Sequence, residues 1–223
     1  MISPEAVAAR AHRAGLSLSP ASIAALTSHG RAVLEANARL HLTTVRDPAE
    51  FVERHIGESL DGAALLPPDA AGVLVDLGSG NGYPGVPLGL ARPGLRVVLA
   101  EASHKKAGFL EQVVRSMPED RFTVLHRQVQ RAEDLADAAP TLLASRAMGN
   151  WERVIPRLAR ALPAGGRLLL WAGIDAEGIL QRAAWRGWRL LQRHPLADRE
   201  RSWIWLLEAT PTIASADSAF VKK

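Results

Sequence analysis

The sequence predicts an α/β fold: a seven-stranded, mostly parallel sheet with a terminal antiparallel hairpin, preceded by an N-terminal helical extension. Three observations carry this. The stretch Val73-Leu74-Val75-Asp76-Leu77-Gly78-Ser79-Gly80-Asn81-Gly82-Tyr83-Pro84-Gly85 runs from an apolar strand into a tight glycine turn, and a second apolar run, Leu95 to Ala100, closes on the acid Glu101. Strand-like and helix-like segments then alternate as far as residue 171, the pattern of parallel strands joined by crossover helices. Finally, Trp188 to His194 and Ser202 to Ala209 are two strand-like runs with only a short polar connection holding Pro195, Asp198 and Glu200, which suits a hairpin.

Each element has a local reason. Ser3 then Pro4 opens a helix that Gly15 ends, and Ser19 then Pro20 opens a second through residue 39, with Ile23, Leu26, Val33 and Leu34 on one face. Asp47 then Pro48 opens a third, through about Leu60, with Phe51, Val52, Ile56 and Leu60 as its apolar side. The chain to residue 68 is thus a helical extension packed on a core over 69–210, and the small polar stretch 211–223 is expected to be loose. Within the core, strand 73–77 leads to helix 85–91, strand 95–100 to helix 104–117, and strand 121–125 to a short segment near 130–137. Strand 141–145, helix 151–162 and strand 167–171 complete the alternation.

Composition excludes several classes. The 223 residues with 48% hydrophobic content suffice for one α/β domain with an appendage. No cysteine is present, so a disulfide scaffold, a Cys-ligated zinc site and thiol chemistry are excluded. Lys+Arg number 27 against 23 Asp+Glu, a net +4 that suits an anionic partner. The N-terminus lacks the basic-then-apolar pattern of a signal peptide and no apolar run approaches a membrane span, so a cytoplasmic protein with no membrane partner is expected. No metal is expected either.

The glycine turn allows a ligand to approach the backbone closely. A P-loop is excluded, because no Gly-Lys-Ser/Thr follows. Gly80-x-Gly82-x-x-Gly85 matches the dinucleotide spacing, but Asp76 stands directly before the loop, where it would repel a pyrophosphate. An ammonium would instead be held there by charge-assisted hydrogen bonds. Asp76-x-Gly78-x-Gly80-x-Gly82 is the usual form in methyltransferases that use S-adenosylmethionine (SAM), a ligand with an amino-acid end and no phosphate. Glu101 can accept from ribose hydroxyls with either cofactor, so it does not discriminate.

The continuation is more specific. Gly78-Ser79-Gly80-Asn81-Gly82-Tyr83-Pro84-Gly85-Val86-Pro87-Leu88 resembles the Gly-x-Gly-x-Gly-Leu-Pro-Gly-Ile-Pro-Leu signature of the bacterial 16S rRNA (guanine-N7) methyltransferase family, RsmG or GidB. Leu42 to Pro48, Arg54 to Leu60, Lys105-Lys106 with Phe109-Leu110, Arg131 to Leu135 and Ser145-Arg146-Ala147 resemble further family blocks in family order, over about residues 35–205. The resemblance implies a SAM-dependent Rossmann-like methyltransferase acting on N7 of a guanine in the 530 loop of 16S rRNA, free or in the 30S subunit. The loop and strand-end reading gives Asp76, Ser79, Gly80, Gly82 and Glu101 as cofactor-site residues, and the resemblance implies Gly78, Tyr83, Ala132, Glu133 and Arg146 beside them. Arg46, Arg54, His55, Lys105, Lys106 and Arg201 are the expected RNA-facing residues. Five positions depart from the family: His41 for Asn, Glu58 for Asp, Tyr83 for Leu, Glu101 for Asp with the carboxylate kept, and Ala172 where Lys is usual.

Guanine N7 carries a free lone pair, so its methylation requires no general base. Arg146 is the expected positioning residue, orienting the guanine or the cofactor carboxylate, since Arg reads the N7/O6 edge bidentately in DNA. The six Trp residues are expected to pack in the core or on its surface rather than stack on bases. Three rival functions stay open on the residues alone: a SAM methyltransferase with another substrate, a non-catalytic RNA-binding protein on this fold, and an NAD oxidoreductase.

Overall fold

Three helices begin the same way, with a side-chain oxygen capping the first turn and a proline in it. Ser3 accepts from the Ala6 N–H at the head of α1 (Pro4–Arg13), Ser19 from that of Ser22 at α2 (Pro20–Leu40), and Asp47 from that of Glu50 at α3 (Pro48–Phe51). The computed structural model describes residues 1–146, 148–182, 185, 187–197 and 200–210. Asp198, Ala147 and the expected loose tail lie outside the described residues.

The third expected helix is longer than its periodicity suggests. After α3 the chain winds one π-helical stretch, Val52–Gly57, and resumes as α4 (Glu58–Ala64). Such a widened turn recurs at functional sites; here it carries Arg54 and His55 and ends directly before Glu58.

The strands are β1 (Gly72–Leu77), β2 (Leu95–Glu101), β3 (Phe122–His126), β4 (Leu142–Arg146), β5 (Arg167–Gly173), β6 (Trp188–Pro195) and β7 (Ser202–Ala209). They form one seven-stranded sheet in the order β3-β2-β1-β4-β5-β7-β6. The first five are parallel; β7 runs antiparallel to β5, and β6 to β7, as the expected hairpin. The fold class is the expected α/β one, a Rossmann-like and mostly parallel sheet that ends in an antiparallel hairpin. Strand order reverses at β1, which has β2 on one side and β4 on the other, so a crevice opens beyond its carboxyl end.

The intervening helices are α5 (Gly85–Ala91), α6 (His104–Arg115), α7 (Trp151–Leu158) and α8 (Ala176–Leu180). The expected helix 151–162 stops being α-helical at Leu158 and finishes as a 3₁₀ turn, Ala159–Ala161. Pro156 lies inside it and donates no backbone hydrogen bond. The helix α8 was not anticipated, because it is short and its apolar spacing spans barely one turn.

Side chains of β1 alternate between two layers. Leu74 belongs to one buried cluster with Val7, Leu26, Phe51, Ile56, Leu60 and Leu110, on the face covered by the N-terminal helices, α5 and α6. Val73, Val75 and Leu77 pack with Ile155, Leu158 and Trp185 on the other. Trp171, Trp185, Trp188 and Trp205 are buried, in keeping with a packing role.

Candidate functional site

The glycine loop leaves β1 in a conformation fixed by its own amides. Gly78 and Ser79 both donate to the Ala100 carbonyl at the end of β2 (2.9 and 3.0 Å), and Gly82 donates to the Ser79 carbonyl at 2.7 Å. Gly80 donates to Glu101 Oε2 (2.9 Å) while Glu101 Oε1 takes the Ser103 N–H (2.7 Å). Asp76 Oδ2 accepts from Gly85 N–H at 3.0 Å, and the Ser79 hydroxyl donates to the Asp76 carbonyl at 2.9 Å.

Both acids therefore lie beneath the loop and brace it. Asp76 is fully buried, and burial pushes its carboxyl up to about 7, only partly offset by the Gly85 N–H. Neither side chain lines the cavity above. Asp76 Oδ2 and both Glu101 oxygens thus accept from backbone N–H groups, while Asp76 Oδ1 is buried without a hydrogen-bond partner among the described residues.

That cavity measures about 440 Å³ and lies beyond the carboxyl ends of β1, β4 and β5. Its floor is the backbone of Gly78, Ser79, Gly80 and Asn81. Gly80 sits at φ +57°, and a Cβ there would meet protein only at the Gly78 carbonyl, 3.8 Å away, so a side chain would take up ligand space. Gly85 is needed for another reason: a Cβ would come within 2.6 Å of Leu99 and 2.8 Å of Asp76 Oδ2.

Arg146 enters from the end of β4. The register pairs Leu77 with Ser145 and Arg146 with Trp171, which sets the guanidinium beside the loop. It forms an ion pair of 2.9 Å with Glu58, and both side chains are largely withdrawn from solvent. Trp171 donates its indole N–H to the Glu58 carbonyl at 3.2 Å, tying β5 to the π-turn segment.

The opposite wall carries Tyr83 and His55, and Tyr83 is backed by two rings that do not line the cavity. Tyr83 stacks on His29 with ring centroids 4.6 Å apart and planes 5° apart, and Phe51 meets it edge-on at 5.5 Å. His29 Nε2 lies 2.8 Å from the Asn81 carbonyl, which can only accept, so this nitrogen carries the proton. Burial lowers its pKa to about 4 and keeps the ring neutral. His55 lies 2.7 Å from the Thr43 hydroxyl and packs beside Tyr83. His29 escaped the sequence reading, since a single His on a helix face carries no signal of its distant partner Asn81.

Of the expected cofactor residues, Gly78, Ser79, Gly80, Tyr83 and Arg146 line the cavity; Asp76, Gly82, Glu101, Ala132 and Glu133 do not. Ala132 and Glu133 form a 3₁₀ turn, where Glu133 pairs with Arg160 at 2.9 Å on the surface. Of the expected RNA-facing residues, Arg54, His55 and Lys106 line the cavity. Arg54 also pairs with Glu50 at 2.6 Å. Lys105 and Arg201 are exposed outside it. Arg46 borders a separate hollow with Asn37 and His41. His41 ends α2 at φ +50°, a left-handed conformation that Asn, usual here in the resembling family, adopts more readily. Ala172 lines the cavity and contributes no cation. Among the described residues no cluster of three or more His, Cys, Asp or Glu side chains suited to a metal occurs, and no helix is long and apolar enough to cross a membrane.

The chain is similar to a family described as rRNA small subunit methyltransferase G, whose profile matches residues 22–184. It is 37% identical over 187 residues to ribosomal RNA small subunit methyltransferase G of Sorangium cellulosum, covering 82% of this chain and 77% of that protein. The protein of the same name from Xanthomonas axonopodis pv. citri is 38% identical over 182 residues, covering 81% and 82%. Among solved structures, MtNAS in complex with MTA and tNA aligns at TM-score 0.59 with 18% identity, over 92% of this chain and 86% of that one. A fibrillarin pre-rRNA processing protein of Methanococcus jannaschii aligns at TM-score 0.53 with 10% identity, over 65% and 69%. At such identities the two structures speak for the fold alone.

Proposed function

The chain belongs to the rRNA small subunit methyltransferase G family, and from that premise we propose that it transfers a methyl group from SAM to N7 of one guanine in the 530 loop of 16S rRNA. It is a methyltransferase of small-subunit rRNA; the donor, the atom and the loop are what is proposed. The observation that carries the proposal is the open glycine floor with Arg146 at its edge.

The residues present fit SAM. A volume of about 440 Å³ falls in the range of roughly 300–1,000 Å³ usual for small-ligand sites. The glycine floor admits a ligand to backbone contact, and Arg146 supplies a cation for its carboxylate. Asp76 and Glu101 hold the loop in shape, and Tyr83, backed by His29 and Phe51, lines the cavity. When bound, SAM supplies an electrophilic methyl on a sulfonium.

The protein's own task is then positional. Guanine N7 has an available lone pair and no proton to lose, so orientation and a water-poor site suffice. Neutral His29, with its N–H engaged by Asn81, is not required as a base. Arg146 presents its guanidinium where a guanine edge or the donor carboxylate would meet it, and Lys106 and Arg54 add positive charge toward the RNA backbone. A loop base is reachable because unpaired bases can be splayed from the stack.

The test is methyl transfer from methyl-labelled SAM to purified, undermethylated 30S particles. Label in the 16S rRNA is expected. Label in ribosomal protein alone, or none with a protein that still binds S-adenosylhomocysteine, would defeat the proposal.

A further inference from the structure

A second basic site lies on the far side of the sheet from the aromatic wall. Arg153 and Arg157 are one turn apart on α7, and Arg182 follows α8. With Glu152 and Ile179 they surround a surface hollow of about 480 Å³ that reaches down to Trp185. Trp185 is 2% exposed and is held edge-on by Trp151, with ring centroids 5.7 Å apart, so the floor is rigid and apolar.

Charge here is not balanced internally. Many exposed arginines in this chain have an acid partner: Arg160 has Glu133, Arg189 has Glu208, and Arg193 takes Glu177 of α8. The three arginines around the hollow are exposed and make no ion pair among the described residues. Glu152 is the single acid in the lining, so the rim carries a surplus of positive charge.

Position adds to the argument. The helix α7 starts at Trp151, a few residues after Arg146 ends β4, so it rises from the sheet edge that bears the cavity. A guanidinium binds phosphate oxygens bidentately, and several such contacts fix the register of a nucleic acid without reading its sequence.

We propose that the Arg153–Arg157–Arg182 hollow is an auxiliary docking site for the phosphodiester backbone of the substrate RNA, outside the target loop. It rests on the rRNA substrate of the preceding subsection and adds a contact surface to it. RNA engaged there and at the cavity edge is held at two places, which orients the target base.

The experiment compares binding of the full-length protein to 30S particles across a salt series. The Arg153→Gln/Arg157→Gln/Arg182→Gln protein is set against wild type and against an Arg96→Gln/Arg115→Gln/Arg167→Gln control. The control removes equal charge at the starts of β2 and β5 and the end of α6, the opposite edge of the sheet. Each lost phosphate contact flattens the slope of log K against log salt by about 0.7–0.9, so the hollow variant should lose about 2–3. The control should keep the wild-type slope, and all three proteins should bind S-adenosylhomocysteine alike in calorimetry. An unchanged slope in the hollow variant, or an equal loss in the control, overturns the site. Wild type that binds S-adenosylhomocysteine but not 30S particles overturns the rRNA substrate, and this site with it.

Discussion

Two buried groups beside the glycine loop pull the pH dependence of stability in opposite directions, and replacing either should expose the other. Burial raises the Asp76 carboxyl from 3.8 to about 7. The folded protein keeps a proton there that the unfolded chain has lost, so between these values stability falls as pH rises. Burial lowers His29 from 6.5 to about 4. There the unfolded chain binds a proton that the folded one does not, so stability rises with pH over that window. At about 1.4 kcal/mol for each pKa unit, the spans are about 4 kcal/mol for Asp76 and about 3 kcal/mol for His29. In the wild type they largely cancel across the shared window. The Asp76→Asn side chain keeps an oxygen for the Gly85 N–H and does not titrate. Its stability relative to wild type should climb by about 4 kcal/mol over the Asp76 window. His29→Gln keeps a donor for the Asn81 carbonyl, and its difference curve should fall by about 3 kcal/mol as pH rises through the His29 window. Urea unfolding at half-unit steps of pH measures both. A flat difference curve for Asp76→Asn would refute the reasoning, since it would mean that the carboxyl titrates at its ordinary value despite full burial.

Arg146→Ala should abolish most methyl transfer and also destabilise the fold by about 3–5 kcal/mol, because it takes the cation from the buried Glu58 carboxylate. Adding Glu58→Gln should recover much of the stability and none of the turnover; recovered turnover would make Arg146 structural only. Gly85→Ala should cost about 1–3 kcal/mol in urea unfolding, from the contacts with Leu99 and Asp76, and an unchanged midpoint would contradict the packing described. The Tyr83 hydroxyl is buried without a hydrogen-bond partner among the described residues, so Tyr83→Phe should raise stability by about 1 kcal/mol. A lower midpoint would reveal a partner.

Much of the architecture was legible because its signals are local. Serine or aspartate before proline marked three helix starts, and apolar runs punctuated by glycine and proline marked the strands. The π-turn from Val52 to Gly57 was not legible: a widened turn shifts the apolar face without leaving a distinct residue pattern. That Gly78, Ser79, Gly80 and Arg146 lie at one cavity was legible, because the first three are a run of small residues after a strand and the last ends a strand. The hydrogen bonds that the Asp76 and Glu101 carboxylates make were not legible, for a physical reason. An acid at a strand end can face a ligand or cap the loop from below, and only the hydrogen bonds to Gly85, Gly80 and Ser103 decide. The Glu58–Arg146 pair and the His29–Asn81 contact join residues far apart in the chain, which no local pattern reports.

The central claim is tested most directly by mapping the methyl group. Undermethylated 30S particles are incubated with SAM and the protein, and the 16S rRNA is then treated with borohydride and aniline, which cleave at N7-methylguanine, and read by primer extension. The account predicts one new stop, at a guanine of the 530 loop, that depends on both SAM and Arg146. Methylation confined to another base or another atom would contradict it.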